Sequence, residues 1–246
     1  VSDIKLYNGD CLEIMKDIPD GSIDMILCDL PYGTTACKWD VIIPFDKLWE
    51  QYNRIIKNNG AIALFGSQPF VGVLINSNIK MFRHEWIWNK DKGGNFMNCK
   101  FEPMKTHEHI LVFGKEKSVY NPIMEKRDDK NKRKNNPRVN TSNIITTKEF
   151  YTAQSKGNND YKYPTSVKYF NSVRGGLHPT QKPVDLLEYL IKTYTNEGET
   201  ILDNCMGSGS TGVACINTNR NFIGIELDEN YFNIAQNRIN DAKEQL

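Results

Sequence analysis

The run Ile23-Asp24-Met25-Ile26-Leu27-Cys28 reads as a buried strand, and it leads directly into Asp29-Leu30-Pro31-Tyr32-Gly33. Much of the chain around it alternates strand-like and helix-like runs, the pattern of a mostly parallel sheet with helices packed on it. In an open sheet of that kind ligands bind at the carboxyl ends of the strands. A carboxylate, a proline and an aromatic ring therefore meet where a ligand would sit. Asp29 can accept a hydrogen bond from an exocyclic amino group, the Leu30 carbonyl can accept a second, and Tyr32 can stack on the ring that carries the amine. The chemistry this tetrapeptide suits is attack by the amino group of a flat, polar substrate.

The pattern continues downstream. A helix is expected from about Phe45 to Lys57, with Leu48, Tyr52, Ile55 and Ile56 apolar and Asn59-Gly60 as its stop. Ala61 to Phe65 reads as a short buried strand, and Pro69 opens a helix to about Ser77. Phe82 to Trp88 and His109 to Phe113 read as strands, with a loop signal at Lys92-Gly93-Gly94-Asn95-Phe96 between them. The rhythm lapses from Lys115 to about Gly176 and then resumes. Pro183 opens a helix through about Asn196, Glu199 to Leu202 is a strand, Ser210 to about Asn217 a helix, Asn221 to Ile225 a strand, and Glu229 begins a final helix.

At 246 residues the chain can be one large domain, and 39% hydrophobic residues are enough for a sizeable core. A net charge of +1 provides no global field for nucleic acid, so any such contact must come from a local patch. One exists within the polar stretch: Lys126 to Arg138 is dense in cations, including Lys132, Arg133 and Lys134. Taken alone it reads as a solvated loop. Tyr151, Tyr161, Tyr163, Tyr169 and Phe170 follow it, and they suit either stacking on extruded bases or a small apolar cluster. The six cysteines lack any C-x-x-C pairing and read as reduced thiols. His107-Glu108-His109 is accounted for by alternation at a strand's start, and no metal is expected. With no apolar run of membrane length and no signal-peptide pattern, the expectation is a soluble, intracellular protein without membrane association.

A second motif lies near the other end, Asp203-Asn204-Cys205-Met206-Gly207-Ser208-Gly209-Ser210-Thr211-Gly212, followed by Gly224-Ile225-Glu226-Leu227-Asp228. Its glycines also satisfy G-x-G-x-x-G, so a dinucleotide site has to be weighed. Asp203 at the preceding strand end opposes that reading, because a carboxylate repels a pyrophosphate and attracts a cationic ligand. The loop is also followed by only one more strand, and the Asp29 tetrapeptide has no evident purpose in hydride transfer.

Together the two motifs resemble the DNA amino-methyltransferases of the β class, in which the catalytic tetrapeptide precedes the cofactor loop. The likeness spans nearly the whole chain. It implies a Rossmann-like α/β methyltransferase fold, with a mostly parallel sheet, helices on both faces and a circularly permuted motif order. Residues 1–114 would be the catalytic half, 115–176 an inserted basic target-recognition region, and 177–246 the cofactor half of the same domain. The cofactor implied is S-adenosylmethionine, held by the loop residues Asp203, Met206, Gly207, Ser208, Gly209, Ser210 and Thr211, with Glu226 and Leu227 at its ribose. Asn8-Gly9-Asp10-Cys11 resembles the family segment that lies by the cofactor's adenine, which brings in Asp10 and Cys11. His178-Pro179-Thr180-Gln181-Lys182-Pro183 resembles the segment at its methionine end, implicating His178, Thr180 and Lys182, although Thr180 and Pro183 equally suit a helix entry.

The resemblance makes Asp29, Leu30, Pro31 and Tyr32 the catalytic group and double-stranded DNA the partner. The target is an extruded adenine methylated at N6, since an initial Asp tends to accompany adenine in this family and an initial Ser cytosine. The family's commoner D-P-P-Y differs at Leu30, which retains the needed carbonyl. Trp39, with Asp40, resembles a Trp-Asp pair often seen at this place in relatives, and the expectation is that it walls the base pocket. Cytosine N4 is the nearest alternative; an RNA amino group and an inactive DNA-binding homologue are more remote. Relatives often dimerise, so a homodimer is also an expectation, as is the cytoplasm of a bacterial, archaeal or phage-infected cell. Charge reversal at Lys132, Arg133 and Lys134 should weaken DNA binding and flatten its salt dependence. Binding titrations across a salt series check this, and an unchanged slope would leave the run as mere solvation.

Overall fold

The strand β2, Ile23–Cys28, is buried along its whole length. A computed structural model, which describes residues 2–33, 41–128, 160–173, 175 and 181–245, sets it near the middle of an eight-stranded sheet. The order across the sheet is β1 (Ile4–Asn8), β10 (Asn221–Glu226), β9 (Thr200–Asp203), β2, β3 (Ile56–Gly66), β5 (Lys105–Phe113), β4 (Phe82–Gly94) and β8 (Val167–Tyr169). Neighbours run parallel except at β5, which is antiparallel to both β3 and β4.

Successive side chains of a strand point to opposite faces, and here both faces are covered. Met25 and Leu27 join a core with α4 (Val184–Tyr194), α5 (Ser210–Asn217) and α6 (Glu229–Glu244). Ile26 and Cys28 join the opposite core with α1 (Cys11–Ile14), α2 (Phe45–Ile55) and α3 (Phe70–Ser77). The continuous apolar reading of β2 follows from this double burial. Its one acid, Asp24, is itself buried and anchors the flanking strands: Lys57 Nζ donates to Oδ1 at 2.6 Å and the Thr200 amide to Oδ2 at 2.9 Å.

The structure adds β1 and α1 at the start of the chain and begins β5 at Lys105, ahead of the expected His109, and it differs from the sequence reading in three further places. The helix beginning at Phe45 stops at Ile55, because Ile56 pairs with Ile23 and Lys57 is drawn to Asp24, so β3 starts earlier than Ala61. Its stripe is Leu48, Trp49, Tyr52 and Ile55. Second, the expected loop from Lys92 is strand up to Gly94, which pairs with Lys105 after a register shift. The chain turns only at Asn95, in the left-handed region at φ 53° that asparagine tolerates better than most residues. Third, part of the polar stretch after Lys115 belongs to the main sheet. Val167–Tyr169 pairs with β4, the Asn121 amide donates to the Thr193 carbonyl at 2.7 Å, and Phe170 packs on the core beside Tyr189. So short a strand among polar residues leaves no legible period.

Residues 1–121 and 166–246 form one compact unit, and residues 122–165 a second. Within the second, Glu125–Lys126 pairs antiparallel with Tyr161–Lys162, joined by a Lys162–Glu125 ion pair at 3.2 Å. Tyr161 and Tyr163 are exposed there, as is Tyr169 in the main unit. The cationic residues Lys132, Arg133 and Lys134, and Tyr151, lie outside the described residues. Among those described, no helix is long and apolar enough to cross a membrane.

Candidate active site

β2 and β9 are adjacent and parallel, with Met25 opposite Ile201 and Ile26 opposite Leu202. From β2 the chain proceeds outward to β3, and from β9 it proceeds the other way to β10. The strand order thus reverses between them, and the crevice above such a reversal is where open α/β sheets bind ligands. Asp29 follows β2 and Asp203 ends β9, so the two motifs, far apart in sequence, meet at that crevice.

A cavity of about 350 Å³ occupies it, within the range of small-molecule sites. Asp29, Leu30, Pro31 and Tyr32 form one wall. Asp203, Met206, Gly207, Ser208, Ser210 and Thr211 form another, with Asp10, Cys11, Lys182, Glu226 and Leu227 completing it. Gly209 is not on the wall. Its φ of 79° makes the turn into α5, and a Cβ there would stand 2.9 Å from the Ala235 side chain, so its task is to let loop and α6 approach. Trp39, His178 and Thr180 lie outside the described residues.

The second motif is an acid-centred loop. Asp203 is buried, accepting from Thr211 Oγ1 at 2.6 Å and from the Cys205 amide at 3.1 Å. Burial drives its carboxyl up to about 7, although those hydrogen bonds pull it down. Glu226 is buried at the end of β10, accepting from the Gly207 amide at 2.8 Å and the Asp228 amide at 2.9 Å, and burial raises it too. Asp10 caps α1 through the Leu12 amide at 2.8 Å, and Leu227 is exposed beside the cavity. Four acidic side chains around one cavity, Asp10, Asp29, Asp203 and Glu226, disfavour a polyphosphate and suit a ligand with hydroxyls and a positive charge.

The first motif stands on a largely buried ionic chain in which only Lys182 is fully enclosed. Tyr32 donates its hydroxyl to Asp29 Oδ1 at 2.6 Å while its ring stacks on Phe70, centroids 4.8 Å apart. Lys182 donates to Asp29 Oδ2 and lies 3.6 Å from Glu108 Oε2; Glu108 Oε1 accepts from Lys90. Burial disfavours charge on Lys182, but Asp29 and Glu108 more than offset it and hold the ammonium protonated. Burial likewise pushes Glu108 up, and the Lys182 and Lys90 cations more than reverse the shift. The structure thus places Lys182, expected at a cofactor's methionine end, against the Asp29 carboxylate as well as on the cavity wall. The Leu30 side chain is buried in the core shared with α2 and α3, which anchors the tetrapeptide at this point.

Several members of the site escaped sequence reasoning. Glu108 looked like ordinary strand alternation, and nothing local connects it to Asp29. Tyr52 donates to Asn204 Oδ1 at 2.5 Å beneath the loop, and Asn204 in turn donates to the thiols of Cys11 and Cys205 at 3.6 and 3.5 Å. Arg238, on the final helix, donates to the Ser208 carbonyl at 2.5 Å and to the hydroxyls of Ser208 and Ser210 at 3.0 and 3.3 Å. Only Asn204, inside the motif, carried a sequence signal. The five described cysteines are free thiols, and among the described residues no cluster of ligands could hold a metal.

Comparison with known proteins places this geometry in context. A family model described as DNA methylase matches residues 23–237. The type II methyltransferase M.HpaI of Haemophilus parainfluenzae is 29% identical over 254 residues, spanning 96% of this chain and 74% of its own. The DNA adenine methyltransferase YhdJ of Escherichia coli K12 is 29% identical over 263 residues, spanning 96% and 83%. The crystal structure of the M1.HpyAVI–SAM complex superposes with a TM-score of 0.64 at 26% identity, covering 96% of this chain and 99% of that one. The cytosine-N4-specific PvuII DNA methyltransferase shares the fold, with a TM-score of 0.67 at 15% identity over 100% and 93% of the two chains.

The acid at the centre of the loop sets a pH dependence. Asp203 titrates near 7 in the folded protein but near 3.9 in an unfolded chain. Its contribution to stability is therefore whole below the unfolded value and is lost as pH rises through the folded one. Asparagine cannot titrate, so the melting temperature of Asp203→Asn relative to the parent should rise between about pH 5 and about pH 8. Thermal denaturation of both proteins at the two pH values measures this, and a constant difference would mean an ordinary carboxyl at this position.

Proposed function

The chain belongs to the DNA methylase family whose model it matches over residues 23–237, and from that premise we propose that it is a site-specific methyltransferase acting on the N6 amine of an adenine extruded from duplex DNA. The observation that carries this reading is the single cavity in which Asp29-Leu30-Pro31-Tyr32 faces the acid-lined loop of Asp203 and Glu226. Adenine is supported by Asp29 as the first letter of the tetrapeptide and by the likeness to YhdJ, named as an adenine methyltransferase. A modification role beside a restriction enzyme is supported by the likeness to the type II methyltransferase M.HpaI.

S-adenosylmethionine, the ligand in the M1.HpyAVI complex, supplies an electrophilic methyl group when bound. The residues present fit it: Glu226 would hold the ribose hydroxyls, Asp203 would favour the methionyl ammonium, and Asp10 would lie by the adenine. The remaining chemistry belongs to Asp29 and its neighbours. An exocyclic amine is a poor nucleophile because its lone pair is delocalised into the ring. Asp29 and the Leu30 carbonyl, by accepting its two hydrogens, favour a pyramidal nitrogen whose lone pair is directed at the methyl group. Asp29 also offsets the positive charge that develops on nitrogen and is the first acceptor of the proton then lost. Tyr32, backed by Phe70, offers the extruded base a stacking surface that compensates part of the cost of leaving the helix.

Incubation with isotopically labelled S-adenosylmethionine and unmethylated duplex DNA, followed by mass spectrometry of the nucleosides, should yield labelled N6-methyladenine. Asp29→Ala should lower that yield roughly a hundredfold or more while cofactor binding, measured by calorimetry, persists. Labelled N4-methylcytosine instead would retain the mechanism and overturn the base assignment. Near-normal turnover by Asp29→Ala would remove that residue from the reaction.

A further inference from the structure

Both oxygens of Asp29 are already engaged: Oδ1 by the Tyr32 hydroxyl at 2.6 Å and Oδ2 by Lys182. An incoming amine needs one of them, so a resident donor must leave. Tyr32 is poorly suited to leave, because its ring is stacked on Phe70 and is needed in place for the base. Lys182 has somewhere to go. Glu108 Oε2 is buried and, among the described residues, has no hydrogen-bond partner, yet the Lys182 ammonium lies only 3.6 Å away. An unsatisfied buried carboxylate oxygen beside a cation is an acceptor held in reserve. Glu108 itself is fixed, since Lys90 holds its other oxygen and that ammonium also sits 4.6 Å over the Trp88 ring. The Phe65 ring, 5.1 Å from the Lys182 ammonium, gives the moving cation a second favourable neighbour.

We propose that Lys182 is a mobile guard on Asp29, shifting its ammonium from Asp29 Oδ2 to Glu108 Oε2 when the substrate amine arrives. One hydrogen bond to Asp29 is broken and replaced by an N–H of the base, and one is gained by Glu108. Lys182 stays protonated throughout, so the balance of two carboxylates and two ammonium groups in the chain is preserved. Before substrate binds, the guard compensates the charge of a half-buried carboxylate; afterwards the carboxylate is free to orient the amine. Glu108 is thus a positioning residue that acts only through Lys182. This inference rests on the proposed amine-directed reaction and adds to it the step by which Asp29 becomes available.

The test is a double-mutant cycle of Glu108→Gln and Lys182→Met, assayed for methyl transfer to duplex DNA, with S-adenosylmethionine affinity measured by calorimetry on every variant. Glutamine cannot draw the ammonium away, so Glu108→Gln should lose on the order of tenfold to a hundredfold in kcat with cofactor affinity unchanged. In the Lys182→Met background the same substitution should cost less than about twofold, because the residue through which it acts is gone. Additive losses, or full turnover by Glu108→Gln, would overturn the guard. A readout independent of turnover is the ammonium resonance of Lys182 in 15N-lysine-labelled protein with S-adenosylhomocysteine. It should shift on adding duplex DNA in the parent and not in Glu108→Gln; an equal shift in both would also overturn the proposal. Failure of the parent to methylate DNA at all would instead defeat the underlying reaction, an outcome the parent assay reveals by itself.

Discussion

The parallel pairing of β2 with β9 is the constraint on which the site depends. It is a short contact, Met25 with Ile201 and Ile26 with Leu202, but it joins strands drawn from opposite ends of the chain. Because all the strands on that side run the same way, their carboxyl ends open on one edge, and the reversal of strand order there leaves a crevice. Asp24 reinforces the seam by taking the Thr200 amide on one side and Lys57 on the other. The two apolar cores then fix the seam from both faces, with α4, α5 and α6 against one and α1, α2 and α3 against the other.

The crevice is divided electrostatically. On the loop side, Asp203 and Glu226 are buried acids whose hydrogen bonds come from uncharged amides and a hydroxyl. Burial raises both carboxyls, which makes that side receptive to hydroxyls and to positive charge. On the tetrapeptide side, each partly buried carboxylate is matched by an ammonium: Asp29 with Lys182, Glu108 with Lys90. Buried ion pairs contribute little to net stability, so a functional reason for this chain is the more economical account of its presence.

How much of this was legible beforehand depends on the range over which each feature is encoded. The α5 helix at Ser210–Asn217 and the start of α6 at Glu229 fall where glycine, serine and the Asp228 cap place them, since caps and turns are local. The early end of α2 was not legible, because Ile55-Ile56-Lys57 continues a helical pattern and only its pairing with Ile23 and Asp24 draws it into β3. β8 was invisible for the same reason. At the site, Asp29, Tyr32, Asp203 and Glu226 announced themselves by type and spacing. Glu108, Arg238 and Tyr52 did not, because each reaches the site from an element whose own sequence has no bearing on it.

The sequence by itself determined the α/β alternation, the two motif loops and the family to which they point, since strand ends, glycine turns and caps are written in neighbouring residues. Only the tertiary structure decided that Lys182 pairs with Asp29, that Glu108 stands behind it with a spare oxygen, and that Gly209 serves packing and not the cavity wall. Those are properties of distances between elements far apart in the chain. They are set by how the sheet is ordered and how its two cores are filled, which no local pattern specifies.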